Sequence, residues 1–248
     1  MEILGIDVGG SGIKGALVDL ETGELTTERY RVSTPSPSKP EDVAKVIKRI
    51  VKHFKYTGPV GCGFPTLVHH GVARLHSNLD PDWVSVDVPK LFEAQCGMPF
   101  VVINDADAAG VAEMEHGAGK DNKGVVIMIT IGTGLGSGFF VNGKLVPNFE
   151  LGRLNYKKKT IWEKYAADSI RTSKKLTWVQ WAKRFNKYLQ HIDMLFSPDL
   201  IILGGGASKK MDLFEKYIKT GVNANIVAAE TQNEAGIIGA AMAAKNLL

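Results

Sequence analysis

Asp7 stands next to last in a short apolar run, 3–8, and Gly9-Gly-Ser-Gly12 follows that run at once. A carboxylate beside a glycine-rich turn suits phosphate chemistry, because the backbone N–H groups of such a turn can face an anion and no Cβ blocks the approach. A tight turn of purely structural purpose is the alternative reading. Two more glycine runs, Gly132-Thr-Gly-Leu-Gly-Ser-Gly138 and Gly204-Gly-Gly206, also follow apolar stretches. A second carboxylate, Asp105, comes directly after Asn104 at the end of the apolar run 100–103. There it can accept a proton from a bound hydroxyl, since loops at strand ends carry the chemistry of α/β proteins, or it can serve only as an acidic group at a helix N-terminus.

Spacing excludes several other chemistries. Gly10-Ser-Gly-Ile-Lys-Gly15 matches the G-x-G-x-x-G pattern of dinucleotide-binding turns, yet it runs on into a strand-like segment and a hairpin turn where that pattern must open a helix. The phosphate-binding pattern G-x-x-x-x-G-K-[ST] does not occur. Cys62 and Cys96 form no CxxC pair, so neither a disulfide framework nor zinc is expected, and reduced thiols in the cytoplasm are the default. His69-His70 and His76 lack a carboxylate-spaced partner set and read as surface histidines.

The elements that must position these residues read as a repeat. Strands are expected over 3–8, 13–19 and 25–32, joined by the glycine turn and by the hairpin turn Glu21-Thr-Gly-Glu24. A loop rich in proline and serine, 34–40, precedes an amphipathic helix to about residue 54, with Val43, Val46, Ile47, Ile50 and Val51 on one face. Short strands follow at 58–65 and 100–103, separated by a helical stretch that ends over 91–96, and a helix is expected over 106–116. The pattern then restarts with a strand at 124–131, a glycine turn at 132–138, a strand at 139–141 and a hairpin turn at Asn142-Gly143. Gly9 aligns with Gly132 at half-chain spacing, which marks an internal repeat. Over 177–196, Trp178, Trp181, Phe185, Leu189, Ile192 and Leu195 recur at helical spacing and read as core. A strand at 199–203 leads into the third glycine run, and a small-residue helix fills 234–248.

With 248 residues the chain is long enough for one or two domains that need no disulfide or metal to fold. Hydrophobic residues at 44% and charged residues at 23% exclude a disordered chain. Glycine is over-supplied, and 15 of the 27 fall within 5–15, 58–63, 132–138 and 204–206. The net charge of +4 is too mild for a nucleic-acid binder and compatible with an anionic substrate. No basic leader with a cleavage pattern and no run of about 18 apolar residues is found, so neither secretion nor a membrane span is expected.

Gly5-Ile-Asp-Val-Gly-Gly-Ser-Gly-Ile-Lys-Gly15 resembles the first phosphate loop of the actin, hexokinase and Hsp70 superfamily. Ile129-Thr-Ile-Gly-Thr-Gly-Leu-Gly-Ser-Gly138 resembles its second phosphate loop, and Leu203-Gly-Gly-Gly-Ala-Ser208 the segment that touches the nucleotide in ATP-using members. Gly61-Cys-Gly-Phe-Pro65, Asn104-Asp-Ala-Asp-Ala-Ala-Gly110 and Glu150-Leu-Gly152 are similar to the sugar-binding motifs of the ROK family of sugar kinases. Within that family, Asp168-Ser-Ile-Arg171, Leu176-Thr-Trp178, Trp181-Ala-Lys-Arg184, Tyr188-Leu-Gln-His191 and Phe196-Ser-Pro-Asp-Leu-Ile-Ile-Leu-Gly-Gly-Gly206 look like the polyphosphate-using glucokinase subgroup, so the likeness spans nearly the whole chain.

The resemblance implies two duplicated RNase H-like α/β domains of the actin-like ATPase fold around a central cleft, 1–105 plus 234–248 and 106–233. It implies transfer of a phosphoryl group to the 6-hydroxyl of glucose from inorganic polyphosphate, in some members also from ATP, by a Mg²⁺-dependent homodimer. Such transfer is mostly positioning and charge neutralisation, with a carboxylate taking the hydroxyl proton. Asp105 is then the general base and Asp7 holds Mg²⁺ through water. Gly63, Pro65, Asn78, Asn104, Glu150 and Arg153 join Asp105 at the sugar, with Asn104 and Glu150 bonding its hydroxyls. Gly9, Gly10, Ser11, Gly12, Lys14, Thr133, Gly134, Gly204, Gly205 and Gly206 face the phosphates.

Two features qualify that picture. Family members usually read Glu-x-Gly-His where this chain reads Glu150-Leu-Gly-Arg153, and a guanidinium only donates hydrogen bonds and keeps its charge. Either an active kinase with altered sugar preference or efficiency follows, or a sugar-binding protein that has lost turnover. The zinc-binding cysteines of many ROK proteins are replaced here by Tyr156-Lys-Lys-Lys-Thr160. Cations at Lys157, Lys158, Lys159, Arg171, Lys174, Lys175, Lys183, Arg184 and Lys187, with Lys209-Lys210, could line a path for a linear polyanion or simply form solvated faces. A strictly ATP-dependent ROK hexose kinase is the nearest rival. A DNA-binding ROK repressor is not expected, because its helix-turn-helix would precede strand one.

Overall fold

The computed structural model describes residues 1–75, 78–219 and 221–247, and these fall into two compact units, Met1–His116 with Glu234–Leu248, and Gly117–Asn233. In the first unit, β1 (Glu2–Val8) pairs antiparallel with β2 (Ile13–Asp19), which pairs with β3 (Tyr30–Val32). After helix α1 (Pro40–Phe54), β4 (Val60–Phe64) adds parallel to β1. A small hairpin, β5 (Val68–His69) and β6 (Val72–Ala73), and helix α2 (Val88–Cys96) lead to β7 (Phe100–Asn104), which adds parallel to β4, and helix α3 (Asp105–His116) closes the run. The sheet order is β3-β2-β1-β4-β7.

The second unit repeats this order. Strand β8 (Val125–Ile131) pairs antiparallel with β9 (Leu135–Val141), and β10 (Lys144–Val146) extends the hairpin. A short hairpin, β11 (Asn155–Lys157) and β12 (Thr160–Ile161), precedes α4 (Glu163–Ala166), α5 (Asp168–Ser173) and the long α6 (Trp178–Phe196). Strands β13 (Leu200–Gly204) and β14 (Asn225–Ala228) add in parallel, giving β10-β9-β8-β13-β14. The last helix, α7 (Ala235–Ala243), belongs to the first unit. Two sheets with one connection pattern establish the α/β fold as a duplication. No described helix is long and apolar enough to cross a membrane.

Local sequence explains the helices. Pro40 fixes the first turn of α1, Glu41 and Asp42 favour its N-terminus, and Val43, Ala44, Ile47, Ile50 and Val51 are buried against the sheet. Thr177 caps α6 in a reciprocal bond with Gln180, and Trp181, Phe185, Tyr188, Leu189 and Ile192 pack onto Ile127, Ile129 and Ile131 of β8. Leu195, expected in that stripe, is 47% exposed, one residue from the end of the helix.

Several boundaries differ from the expected ones. The strand expected over 25–32 forms only at Tyr30–Val32, with one bridge at Leu25, because the Thr27 hydroxyl takes the Leu17 N–H that a ladder partner would take. The glycine turn expected over 132–138 needs only 132–134, since Gly136 and Gly138 pair with Thr130 and Met128 inside β9. That turn is one residue shorter than Gly9–Gly12, so the repeat offset is 123 before the turns and 122 after them. The first unit runs on through α3 to His116, beyond the boundary expected after Asp105, because Gly239 of α7 brings the two helix backbones together at Ala108. The final helix gives way to 3₁₀ turns at Ala244–Leu247.

Glycine supply serves that packing. Gly5 and Gly61 present no side chain to α7, and a Cβ on either would strike the carbonyls of Ile237 and Ala240. Alternate residues on the same strands, Leu4, Ile6, Val60 and Cys62, face the core with α1.

Candidate functional site

The parallel strands of the first unit deliver its polar residues to one edge. Asp7 is in register with Gly63 and Gly63 with Ile103, so Asp7, Pro65 and Asn104-Asp105 all emerge at the carboxyl ends of neighbouring strands, where open α/β sheets bind ligands. The Asp7 carboxylate lies against the first turn of α7, where a methyl on Gly236 would stand 3.0 Å from its Cγ. Lys14, its partner across the hairpin, reaches it at 3.6 Å. Burial holds the Asp7 carboxyl above its ordinary pKa, and the Lys14 charge and hydrogen bond oppose that shift.

The turn beyond Asp7 is braced from outside. Gly9 N–H donates to Gly12 O at 3.1 Å, Arg31 Nη2 donates to Ser11 O at 2.9 Å, and Thr34 Oγ1 donates to Gly9 O at 2.5 Å. The N–H groups of Gly10, Ser11 and Gly12 have no partner among the described residues, which makes the turn a concentration of backbone donors. Asn78 lies beside Gly10, its Cβ 3.4 Å from where a Gly10 Cβ would stand; His76 and Ser77 lie outside the described residues.

Asn104 is buried and holds the start of α3. Its Oδ1 accepts from Ala106 N–H at 2.8 Å and Asp107 N–H at 3.2 Å, and its Nδ2 donates to Thr66 O at 3.2 Å, leaving one amide hydrogen. This cap is worth about 1 kcal/mol and fixes the backbone from which Asp105 projects. Asp105 itself is exposed, with Oδ1 accepting from Ala106 N–H at 2.8 Å. Nothing in the sequence near Asn104 announced Thr66, whose carbonyl comes from the loop after β4.

In the second unit Glu150 precedes the 3₁₀ turn Leu151–Arg153 and Arg153 ends it, with Arg153 Nε donating to Glu150 Oε2 at 3.2 Å. Burial raises the Glu150 carboxyl, Arg153 pulls it down, and Glu163 raises it again. Ser137, read from sequence as part of a glycine turn, is a buried brace: its hydroxyl donates to Phe149 O at 2.6 Å and accepts from Leu151 N–H at 2.9 Å, pinning the segment that carries Glu150. Gly152 lets that segment close on Leu135.

Around Gly132-Thr-Gly134, Ser169 binds the carbonyls of Gly132 and Thr133, and Glu163 Oε2 accepts from Leu135 N–H at 3.3 Å. The N–H groups of Thr133 and Gly134 are unpaired among the described residues. Sequence reasoning missed Glu163, which sits on α4 with no motif to mark it, and gave Ser169 of α5 no role although it lies in the Asp168-Ser-Ile-Arg171 motif. The third glycine run joins the second: Gly205, at φ 80°, packs on the backbone of Ile131 at the end of β8, where a Cβ would fall 2.6 Å from the Ile131 oxygen. Gly204 belongs to β13, and Gly206 opens the 3₁₀ turn that follows. Among the described residues no three His, Cys, Asp or Glu side chains converge to hold a metal.

The expected basic stretch divides. Arg171 is bound to Asp168 at 2.6 Å and stacked on Trp178, and Lys209 is bound to Asn233 at 2.6 Å. Lys183 and Lys187, one turn apart on α6, face a groove completed by Asn186, Gln190, Lys216 and Tyr217.

Comparison with known proteins follows the same lines. The ROK family model matches residues 3–147. A polyphosphate glucokinase of Mycobacterium tuberculosis is 44% identical over 240 residues, 96% of this chain and 89% of its own. The crystal structure of an inorganic polyphosphate/ATP-glucomannokinase from Arthrobacter sp. strain KM matches with a TM-score of 0.93 at 42% identity, covering 100% of this chain and 99% of that one. A ROK family glucokinase from Streptomyces griseus, solved with glucose and AMPPNP, matches with a TM-score of 0.84 at 25% identity, covering 99% and 100%.

Proposed function

This chain belongs to the ROK family, and from that premise we propose that it phosphorylates glucose, with inorganic polyphosphate or ATP as donor. The observation that carries the reading is the 42% identity and 0.93 TM-score, over the whole chain, to a kinase that uses both donors.

The site residues are assigned roles on their chemistry. The lone pair of the glucose 6-oxygen attacks the terminal phosphorus of the donor, the bond from that phosphorus to the rest of the donor breaks, and the hydroxyl proton passes to Asp105. Asp105 suits the task because it is exposed at a strand end on a backbone that Asn104 fixes. The remaining Nδ2 hydrogen of Asn104 and the Glu150 carboxylate bond sugar hydroxyls, with Gly63, Pro65 and Asn78 forming the wall. The unpaired N–H groups at Gly10, Ser11 and Gly12, and at Thr133 and Gly134, receive phosphate oxygens, with Lys14 adding its charge and the turn at 204–206 continuing the second loop.

Asp7 fits Mg²⁺. It is a single desolvated carboxylate beside a cradle of backbone donors, and Mg²⁺ takes one or two carboxylates, its own waters and substrate phosphates in place of a protein cage. When bound, the ion supplies charge neutralisation at the donor oxygens.

The contact of Arg153 with Glu150 Oε2 occupies an oxygen that would otherwise accept from sugar, and this favours a second reading in which the sugar preference is altered. The deciding experiment measures glucose 6-phosphate formed from polyphosphate and from ATP separately, each with and without Mg²⁺, and repeats it with mannose. Product from neither donor refutes the kinase; product from ATP alone refutes the polyphosphate donor.

A further inference from the structure

We propose that a cationic face of the second unit, running from Lys157 through Arg184 and Lys187 to Lys183 and Lys216, holds the distal, non-reacting length of the polyphosphate donor. The proposal rests on the donor reading above and extends it from the reactive end to the rest of the chain.

The cations converge although three elements supply them. Tyr156 of β11 and Tyr165 of α4 stack with ring centres 4.0 Å apart; Lys157 lies over Tyr156 at 5.2 Å and Arg184 of α6 over Tyr165 at 4.9 Å. The Tyr156 hydroxyl is held below its ordinary pKa, first by the hydrogen bond with Tyr165 and then by the charges of Lys157 and Lys187, so both lysines act on one phenol. Lys187 in turn shares its groove with Lys183, Lys216, Asn186, Gln190 and Tyr217.

None of these five cations is paired with a carboxylate among the described residues, whereas Arg153, Lys164 and Arg171 are each paired with one. Along α6 no acidic residue precedes Asp193, whose carboxylate is spent on the Asn223 and Ala224 backbone N–H groups and the Asn223 side chain. A solvated helix face would ordinarily mix charge signs at one-turn spacing. Three of the five lie over aromatic rings, Lys157 over Tyr156, Arg184 over Tyr165 and Lys216 over Tyr217, and such contacts leave their charge available. The face also starts close to the phosphate-facing turn, because Tyr165 is two residues beyond Glu163, whose carboxylate receives the Leu135 N–H at the end of that turn. A flexible linear polyanion anchored by its end at Thr133 and Gly134 would therefore meet Tyr165, Arg184 and Lys187 next. A compact triphosphate has no such length.

The test replaces Lys183, Lys187 and Lys216 with serine together and reads steady-state kinetics with long-chain polyphosphate, tripolyphosphate and ATP, beside fluorescence binding of labelled long-chain polyphosphate. The expected result is a rise of tenfold or more in the KM for the long chain, with the values for tripolyphosphate, ATP and glucose unchanged. By the counterion rule for single strands, the slope of log KM against log salt should fall by about 2 for three cations removed. An unchanged long-chain KM and salt slope in a triple variant that keeps its ATP activity would overturn the proposal. Should the parent enzyme use ATP alone, the donor reading fails by itself, and the binding arm still decides: loss of long-chain binding in the variant supports the face, and equal or absent binding in both proteins overturns it.

Discussion

Replacing Arg153 with glutamine should move the acid limb of the glucose kcat/KM profile to higher pH. In the role proposed for it, Glu150 accepts from sugar hydroxyls with both oxygens only when it is ionised. Its pKa is raised by burial and restrained by Arg153, whose Nε lies 3.2 Å from Oε2, so removing the guanidinium leaves burial and Glu163 to raise it further. The Arg153 side chain is 48% exposed and that of Glu150 28%, so solvent screens the pair and its coupling is at most about 1 kcal/mol. Since one pKa unit is about 1.4 kcal/mol, the acid limb should rise by about half a unit. The same screening predicts that the melting temperature barely moves, which separates the electrostatic effect from misfolding. The assay is kcat/KM for glucose across the acid range at saturating donor, for parent, Arg153→Gln and Arg153→Lys. Lysine keeps the charge and should hold the limb where it is. An unshifted or downward-shifted limb in Arg153→Gln would refute the placement of Glu150 at the sugar or the control of its charge by Arg153. Arg153→His, which restores the usual family residue, should lower the KM for glucose, and rescue of an otherwise inactive parent would show that arginine had switched turnover off.

Asp105→Asn should lower kcat by about 10²- to 10⁴-fold with the melting temperature unchanged, because asparagine can still accept the Ala106 N–H; retained turnover rules out the base. Asn104→Ala removes the acceptor of two helix N–H groups and the donor to Thr66 O, and should cost about 2 kcal/mol in urea denaturation as well as activity; a loss of activity alone would mean that the cap contributes little. Gly61→Ala drives a methyl into the Ala240 carbonyl and should destabilise the first unit by about 1–3 kcal/mol or more, read by the same method.

Much of this molecule is written locally. The apolar runs ending at Val8 and Ile131, the glycine turns behind them and the half-chain offset determined a duplicated α/β fold, because strand burial and turn geometry depend on residues close in sequence. The cap and stripe of α6 were legible for the same reason. Asp7 and Asp105 were legible as candidates because each stands at the carboxyl end of an apolar strand. Other features depend on residues distant in the chain. The surplus glycine divides between turns that expose N–H groups and strands, at Gly5 and Gly61, that admit the backbone of a helix more than 170 residues later. Ser137 sits in a motif resembling a phosphate loop yet braces Glu150, Thr66 and Glu163 bond residues of or next to the candidate site without any motif, and Ser169 does so from a motif that gave it no role. A cluster of lysines in sequence gave no hint of which are paired; folding bound Arg171 and Lys209 to neighbours and left Lys183, Lys187 and Lys216 around one groove. Sequence alone determined which elements form and which residue types end them. Only the tertiary structure decided which backbone donors stay unpaired and which charges stay free, since both depend on partners that the chain brings back from elsewhere.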